Sequence, residues 1–79
     1  MSKIYVDVVA KFSKEGALIP RNIKDDDGKI VEIDMIMDVG RVVNLEMKGV
    51  GTRYTCVIGG LEKYLYYEDN NIWFIEDKR

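Results

Sequence analysis

The sequence contains no histidine, one cysteine and one proline. Histidine is the side chain that most often acts as a general base near neutral pH, and it is the commonest metal ligand. Ser-His-Asp and Cys-His catalysis are therefore excluded. Cys56 cannot form an intrachain disulfide, and it lies in an apolar run rather than in a CxxC pair. We expect a non-enzymatic protein that needs no cofactor and resides in the reducing cytoplasm.

An excess of positive charge and long apolar runs are also missing. The 12 Lys and Arg residues stand against 14 Asp and Glu, and the isoelectric point is near 5.0. This balance disfavours tight non-specific binding to nucleic acid, which needs a basic field. No stretch approaches the roughly 18 uninterrupted apolar residues of a membrane helix, and Asp7 interrupts the first apolar stretch too early for a signal peptide. We expect a soluble protein with no membrane partner.

What the sequence does contain is apolar alternation with a period of two. The 79 residues, of which 47% are hydrophobic, suffice for one domain spanning residues 1–79. Gly, Asp and Asn interrupt the alternation about every 8–12 residues, which predicts an all-β antiparallel meander of about six or seven short strands. Because such a sheet has two apolar faces, we expect a strongly curved sheet or a small SH3-like barrel. An open sheet paired in a dimer is the alternative.

The first two strands and their hairpin are predicted from spacing and turn residues. The first strand presents one half-buried face, formed by Ile4, Val6, Val8, Ala10 and Phe12. The second runs from about Ala17 to Lys24, and Pro20 places it at an edge or a bulge. Asp26-Asp27-Gly28 is typical of a three-residue loop with Gly28 in the left-handed conformation. This loop would pair Ile23 with Val31 and Ile19 with Met35.

The middle of the chain predicts two further strands. The inner row would comprise Val31, Ile33, Met35, Met37 and Val39, and the mostly acidic outer row Ile30, Glu32, Asp34, Ile36 and Asp38. Gly40 is expected to end this strand. The next strand would lead to a turn at 49–52 that pairs Lys48 with Arg53 and Met47 with Tyr54. Tyr54, Cys56 and Ile58 would then face the core, with Cys56 buried and inert.

The last three strands follow from two turns. Gly59-Gly60 is typical of a two-residue hairpin, which pairs Ile58 with Leu61 and Arg53 with Tyr66. Lys63 would lie on the core side with its ammonium group reaching an open edge. A final turn at 69–71 is expected to place Ile72 and Phe74 inside, beside Leu65 and Tyr67. The outer face would then hold Tyr64, Tyr66, Trp73 and Ile75.

Two clusters of acidic residues were considered as sites. Asp25, Asp26, Asp27 and Gly28 resemble part of a calcium loop, but the EF-hand alignment that uses Gly28 as its fixed glycine puts Ile23 at the first ligand position. Glu32 and Asp34 share a face, as carboxylate pairs do on any polar strand, and no sugar-binding cleft is indicated. We interpret both clusters as solvated surface and predict no metal and no catalytic residue.

The candidate binding residues are Arg53, Tyr64, Tyr66 and Trp73, which the predicted registers bring to one outer face. Aromatic residues beside an arginine are typical of protein interfaces and of stacking platforms for single-stranded nucleic acid. Two structural explanations compete: the other half of a barrel covers this face, or cross-strand aromatic pairs brace the sheet. We expect a small β interaction module that binds a protein or peptide and is a monomer or weak dimer. The alternative is a weak single-stranded nucleic-acid-binding accessory module, which the negative charge disfavours.

The second half of the chain carries a more distinctive motif. Arg53-Tyr54-Thr55-Cys56 is followed by Val57-Ile58-Gly59, then by the Tyr-rich strand Tyr64–Tyr67 and by Trp73-Phe74. With Pro20, Asp27-Gly28 and Ile33-Asp34 before it, this pattern resembles a family of short bacterial β proteins of uncharacterised function. The resemblance covers nearly the whole chain. It implies a small β protein that stands alone, and it implies no activity or site residues.

Overall fold

The structure, a computed structural model, describes residues 4–25, 27–44, 49–68 and 71–77. These residues form seven strands and no helix: β1 (Ile4–Tyr5), β2 (Asp7–Phe12), β3 (Leu18–Lys24), β4 (Ile30–Asn44), β5 (Gly49–Ile58), β6 (Leu61–Glu68) and β7 (Ile72–Asp77). All neighbouring strands are antiparallel, in the order β1-β7-β6-β5-β4-β3-β2. The all-β prediction is confirmed. Within the described ranges, no helix is long and apolar enough to span a membrane.

The sheet curls strongly into a half-barrel. β1 and β2 are separated only by Val6, yet β1 pairs with β7 and β2 pairs with β3. The N-terminal segment therefore supplies both end strands of the sheet, β1 at one end and β2 at the other. The Val6 amide donates a hydrogen bond of 3.2 Å to the Trp73 carbonyl, which continues the β1–β7 pairing. Curling buries one face of the sheet without a second layer.

The core lies on the concave face. Its buried members are Ile23, Tyr54, Cys56, Ile58 and Leu65, and half-buried side chains packed against them are Val6, Val8, Val31, Ile33, Ile36, Tyr67, Trp73 and Ile75. Cys56 and Leu65 have no exposed surface. The predicted inward direction of Tyr54, Cys56 and Ile58 is confirmed.

Glycine-containing turns form as predicted. Gly59 and Gly60 have φ of 60° and 79°, and Ile58 pairs with Leu61 across them, as in a type I′ turn. Arg53 pairs with Tyr66 in consequence. Gly28 has φ of 81°, and its amide donates to the Asp25 carbonyl. Asp26 lies outside the described residues.

β3, which contains Pro20, has the irregularity that this proline predicts. The β2–β3 register shifts between Val9 and Ala10, so that Ala10 pairs with Pro20 while Val9 pairs with Asn22. Proline has no N–H for a regular ladder, and a bulge accommodates this loss. The Pro20 side chain is fully buried. Lys63 lies opposite Cys56 and is half-buried, on the core side as expected.

β4 departs most from the prediction. Gly40 does not end it, and pairing with β5 continues to Asn44. Register shifts between Ile33 and Met35 and between Ile36 and Asp38 each add one residue to β4. Because each added residue reverses the alternation of faces, Ile36 packs against the core, whereas Met35 and Met37 are exposed. The expected inner positions of the two methionines are wrong.

Two predicted registers are also wrong. Tyr54 pairs with Val39 and Arg53 with Gly40, rather than with Met47 and Lys48. Residues 49–52 belong to β5, and residues 45–48 lie outside the described part of the chain. Ile19 pairs with Lys11 instead of Met35, because β3 and β4 pair only from Asn22 to Lys24.

Two glycines in paired strands provide a matched test of this packing. A Cβ added to Gly51 would lie 2.8 Å from the Tyr67 carbonyl oxygen, whereas one added to Gly40 would meet nothing within 4 Å. We expect Gly51→Ala to lower the free energy of unfolding by about 1–3 kcal/mol, because a backbone atom must move. Gly40→Ala should be neutral or slightly stabilising. Urea denaturation measures the free energy of unfolding of both variants. Equal values would contradict the close approach of Gly51 in β5 to the Tyr67 carbonyl in β6.

Candidate functional site

Three of the predicted binding residues share the outer face. Arg53 pairs with Tyr66, and Tyr64 is the outward residue of β6 that precedes Tyr66. The Arg53 guanidinium carbon is 4.8 Å from the centre of the Tyr64 ring, within cation–π range. The Tyr64 and Tyr66 rings meet edge to face with centroids 6.3 Å apart. The predicted placement of these three residues together is confirmed.

Trp73 does not belong to this face. It pairs with Tyr67, and Ile75 pairs with Leu65, so both side chains point to the concave side. Glu68 pairs with Ile72, and Asn71 adopts φ of 69°. A turn of three residues, the number named from the sequence, already places Trp73 opposite Tyr67, so the predicted faces did not match the predicted turn. The expected outward position of Trp73 and the expected inward position of Phe74 are wrong.

Phe74 takes the outer position that was expected for Trp73. Its ring stacks on Tyr66 with centroids 4.7 Å apart and an interplanar angle of 7°, and it meets Tyr5 edge to face at 6.0 Å. Phe74 is only 2% exposed and Tyr66 only 9%. The outer face therefore contains a second, small apolar cluster. Of the predicted binding residues on this face, Arg53 and Tyr64 are half-buried.

The outer cluster also contains a polar contact, between Tyr66 and Glu76. The Tyr66 hydroxyl donates a hydrogen bond of 3.3 Å to Oε1 of Glu76. Burial raises the pKa of Tyr66, the nearby Glu76 charge raises it further, and Arg53 acts in the opposite direction. Oε2 of Glu76 is buried without a hydrogen-bond partner among the described atoms. Since solvent does not reach this atom, the cluster offers no open polar site.

The concave side contains a more accessible feature, where β3 and β4 diverge. The two strands pair only at Asn22–Glu32, Ile23–Val31 and Lys24–Ile30. Beyond this short ladder, β3 continues to pair with β2 and β4 continues to pair with β5. Among the described residues, no strand lies between the facing edges of β3 and β4 beyond this ladder. We call this space the β3–β4 groove.

The β3–β4 groove has a volume of about 620 Å³. Its lining is mainly apolar and consists of Phe12, Ala17, Leu18, Ile19, Ile36, Val39, Arg41, Thr52, Tyr54 and Tyr67. Phe12 is 72% exposed and Val39 is 53% exposed. Both side chains therefore present apolar surface to anything that enters the groove.

Tyr54 connects the two sides of the groove. Its hydroxyl donates a hydrogen bond of 2.6 Å to the Leu18 carbonyl, which β4 does not pair. Burial raises the pKa of Tyr54, and nearby Tyr67 and Cys56 raise it further. The Tyr54 ring lies 5.7 Å from the Trp73 ring, and Trp73 lies 4.7 Å from Tyr67. These rings give the groove a packed aromatic floor.

A second groove, of about 850 Å³, lies near the β1–β2 junction and the Asp-rich turn. Asp7, Asp25 and Asp27 contribute carboxylates to it. Oδ1 of Asp25 accepts hydrogen bonds from the Asp27 and Lys29 amides at 3.0 and 2.9 Å, so this carboxylate stabilises the turn. Within the described ranges, no three His, Cys, Asp or Glu residues are grouped to hold a metal ion.

Cys56 is buried in the floor of the core, and this burial predicts its reactivity. Burial raises the pKa of the Cys56 thiol to about 11. We expect a thiol reagent to label it slowly in the folded protein and rapidly in denaturant, because the thiolate is the nucleophile. Between the ordinary thiol pKa and about 11, the thiol is protonated in the folded protein and ionised in the unfolded protein. The free energy of unfolding should therefore fall as pH rises through this range. Equal labelling rates in both states would contradict the buried position.

The groove residues were not identified from the sequence. Val39 was placed in a continuous inner row, and Phe12 on a half-buried face, so neither indicated an opening. The sequence signal for an opening is the number of apolar residues in this stretch, which exceeds what one buried face requires: Met35, Ile36, Met37, Val39, Val42 and Val43. The divergence of β3 from β4 leaves no local pattern, because it results from the bulges and from the curl of the sheet.

Comparisons with protein-family models, with curated proteins and with solved structures give no match. The features of the chain that point to a function are the geometry of the β3–β4 groove and the chemistry of its lining.

Proposed function

We propose that this protein is a non-enzymatic interaction module that binds an extended segment of a partner protein in the β3–β4 groove. The observation that carries the proposal is the divergence of β3 and β4 after Asn22 and Glu32. An extended segment placed there can add as a strand to the edge of β4. Main-chain hydrogen bonds then supply affinity, and alternate side chains enter the groove.

The edge of β4 supports this proposal. From Ile33 onward, β4 pairs with β5 on one side and with no described strand on the other. Unpaired N–H and C=O groups along a strand are a template for another strand. The two bulges of β4 protect the edge against indiscriminate pairing, because they interrupt the regular spacing of its hydrogen-bonding groups. A segment that fits the groove would pair selectively.

Exposed apolar side chains along β4 also support a partner at this strand, and one of them, Val39, lines the groove. Met35, Met37, Val39 and Val43 are each more than half exposed, and all four belong to β4. The accessible surface of the chain is 5555 Å², against about 4,900 Å² expected for a folded monomer of this mass. Apolar surface concentrated at one free edge is typical of a binding site rather than of scattered exposure.

The outer face supports a partner less well. Tyr66 and Phe74 stack on each other and are buried, so they offer little ring surface to a nucleobase. The net charge of −2 also disfavours phosphate binding. Single-stranded nucleic acid bound through Arg53 and Tyr64 is therefore the less favoured alternative.

For the location we propose the cytoplasm, where Cys56 remains a thiol. For the fold we propose SH3-like barrel character.

The experiment is selection of peptides from a random displayed library on the immobilised protein, followed by amide hydrogen exchange on the complex. We expect selected peptides to slow exchange along the free edge of β4. Val39→Asp should weaken their binding at least about tenfold, because a charge in the apolar groove must be desolvated. Val9→Asp is the matched control, because Val9 is 61% exposed on β2 and does not line the groove.

Three results would overturn the proposal. Equal losses in Val39→Asp and Val9→Asp would show that charge, rather than the groove, controls binding. Protection confined to β5 and β6 around Arg53 and Tyr64 would move the site to the outer face. An oligonucleotide whose binding falls steeply with salt and outcompetes the peptides would favour the nucleic-acid alternative.

A further inference from the structure

The free edge of β4 has a regular part. From Asp38 to Asn44, β4 pairs with β5 without a register shift, whereas both bulges lie before Asp38. The backbone N–H and C=O groups are therefore regularly spaced from Asp38 onward. A segment that adds to β4 as a strand can form successive main-chain hydrogen bonds there.

Consecutive residues of this regular part face opposite sides of the sheet. Val39 pairs with Tyr54, so it faces the concave side, and it lines the β3–β4 groove. Asp38 pairs with Thr55, so it faces the outer side, where it is exposed. In an added strand, the residues opposite Asp38 and Val39 are adjacent in sequence and face the same two sides.

Asp38 gives the outer side of this edge a negative charge. The next outward residue along β4 is Gly40, which carries no charge, and Arg41 faces the concave side, where it lines the groove. Arg53 pairs with Gly40, but its guanidinium carbon lies 4.8 Å from the centre of the Tyr64 ring, so the group extends towards β6 and away from the free edge. A strand added to this edge therefore meets a carboxylate on its outer side.

We propose that the segment bound in the groove carries a Lys or Arg opposite Asp38, directly next to an apolar residue opposite Val39. This inference rests on the proposed function and specifies the chemistry of the partner. Opposite charges in a cross-strand pair attract, and like charges repel. The apolar neighbour matches the lining of the groove, where a charge would lose its hydration without a partner.

The basic preference is limited to one position of the segment. Lys11, Lys14 and Arg21 are exposed on the β2–β3 hairpin, on the other side of the groove, and do not line it. Their charges disfavour a segment that is basic throughout. We therefore expect one basic residue beside the apolar one, rather than a high positive charge of the whole segment.

The experiment compares displayed peptide libraries selected on the wild-type protein, on Asp38→Lys and on Asp27→Lys. Asp27→Lys makes the same change of charge at an exposed turn residue that does not line the groove. On the wild-type protein, Lys and Arg should exceed Asp and Glu about threefold at one position next to an apolar anchor, as for an exposed ion pair. This preference should reverse on Asp38→Lys and persist on Asp27→Lys.

The best peptide is then synthesised with Lys, Gln or Glu at that position. The Lys peptide should bind the wild-type protein about threefold more tightly than the Gln peptide, and both should bind Asp38→Asn equally. Asparagine keeps the size of the side chain, so this variant also covers the case in which a lysine disturbs β4. The Glu peptide should bind more weakly than the Gln peptide to the wild-type protein and more tightly to Asp38→Lys.

Three results would contradict these expectations. Groove-binding peptides with no basic preference, or with the same preference on Asp38→Lys as on the wild-type protein, would overturn this inference and leave the proposed function intact. A basic preference at every position, lowered equally by both lysine variants, would assign it to net charge and would also overturn this inference alone. Failure to enrich any peptide over the Val39→Asp variant would overturn both.

Discussion

Replacing Phe74 with alanine should lower the free energy of unfolding by about 3–5 kcal/mol. Phe74 is 2% exposed and lies on the outer face, where its ring stacks on Tyr66 and meets Tyr5. Alanine removes the ring from both contacts and leaves a cavity between β1, β7 and β6. Urea denaturation followed by far-ultraviolet circular dichroism measures the loss.

Phe12→Ala is the matched control for this prediction. Phe12 is 72% exposed at the end of β2, so the same chemical change should alter stability by about 0.5 kcal/mol or less. Equal effects of the two substitutions would mean that Phe74 is not buried. The pairing of Phe74 with Tyr66 would then be wrong as well.

Trp73→Ala should lower the free energy of unfolding by about 3 kcal/mol. Trp73 packs against the core and contacts the Tyr54 and Tyr67 rings. Both tyrosines line the β3–β4 groove, so the substitution should also weaken peptide binding. Because Trp73 is the one tryptophan of the chain, circular dichroism rather than intrinsic fluorescence must follow the unfolding.

Trp73→Phe separates packing from a direct contact with a partner. Phenylalanine keeps an aromatic ring against Tyr54 and Tyr67, so it should recover most of the stability and of the peptide affinity. If Trp73→Ala leaves the melting temperature unchanged while it abolishes binding, Trp73 is an exposed recognition residue. That outcome would restore the outward position expected from the sequence.

Phe74 and Trp73 lie in a well-packed part of the sheet, whereas several side chains of β4 are exposed. Aromatic rings cover both faces of β7, through Phe74 on one side and Trp73 on the other. β4 has no comparable cover, and Met35, Met37 and Val43 remain exposed. The half-barrel therefore combines a well-packed part with an exposed strand, and strand addition uses an exposed sheet edge.

The sequence by itself determined the fold class and the turns. Period-two alternation predicted antiparallel strands, and Gly28, Gly59 and Gly60 predicted hairpins, which the positive φ values confirm. These features are local, because a turn type depends on a few adjacent residues and the alternation depends on one strand. For the same reason the Gly59-Gly60 turn was sufficient to place Arg53 opposite Tyr66.

The tertiary structure alone decided which side chains face the core beyond those turns. The bulges of β4 moved Ile36 inward and Met35 outward. One added residue reverses every later side chain of a strand, yet it changes the local pattern very little. Each bulge bends the strand that carries it. The same bending separates β4 from β3 and creates the groove, so the candidate site became visible only when the sheet was curled.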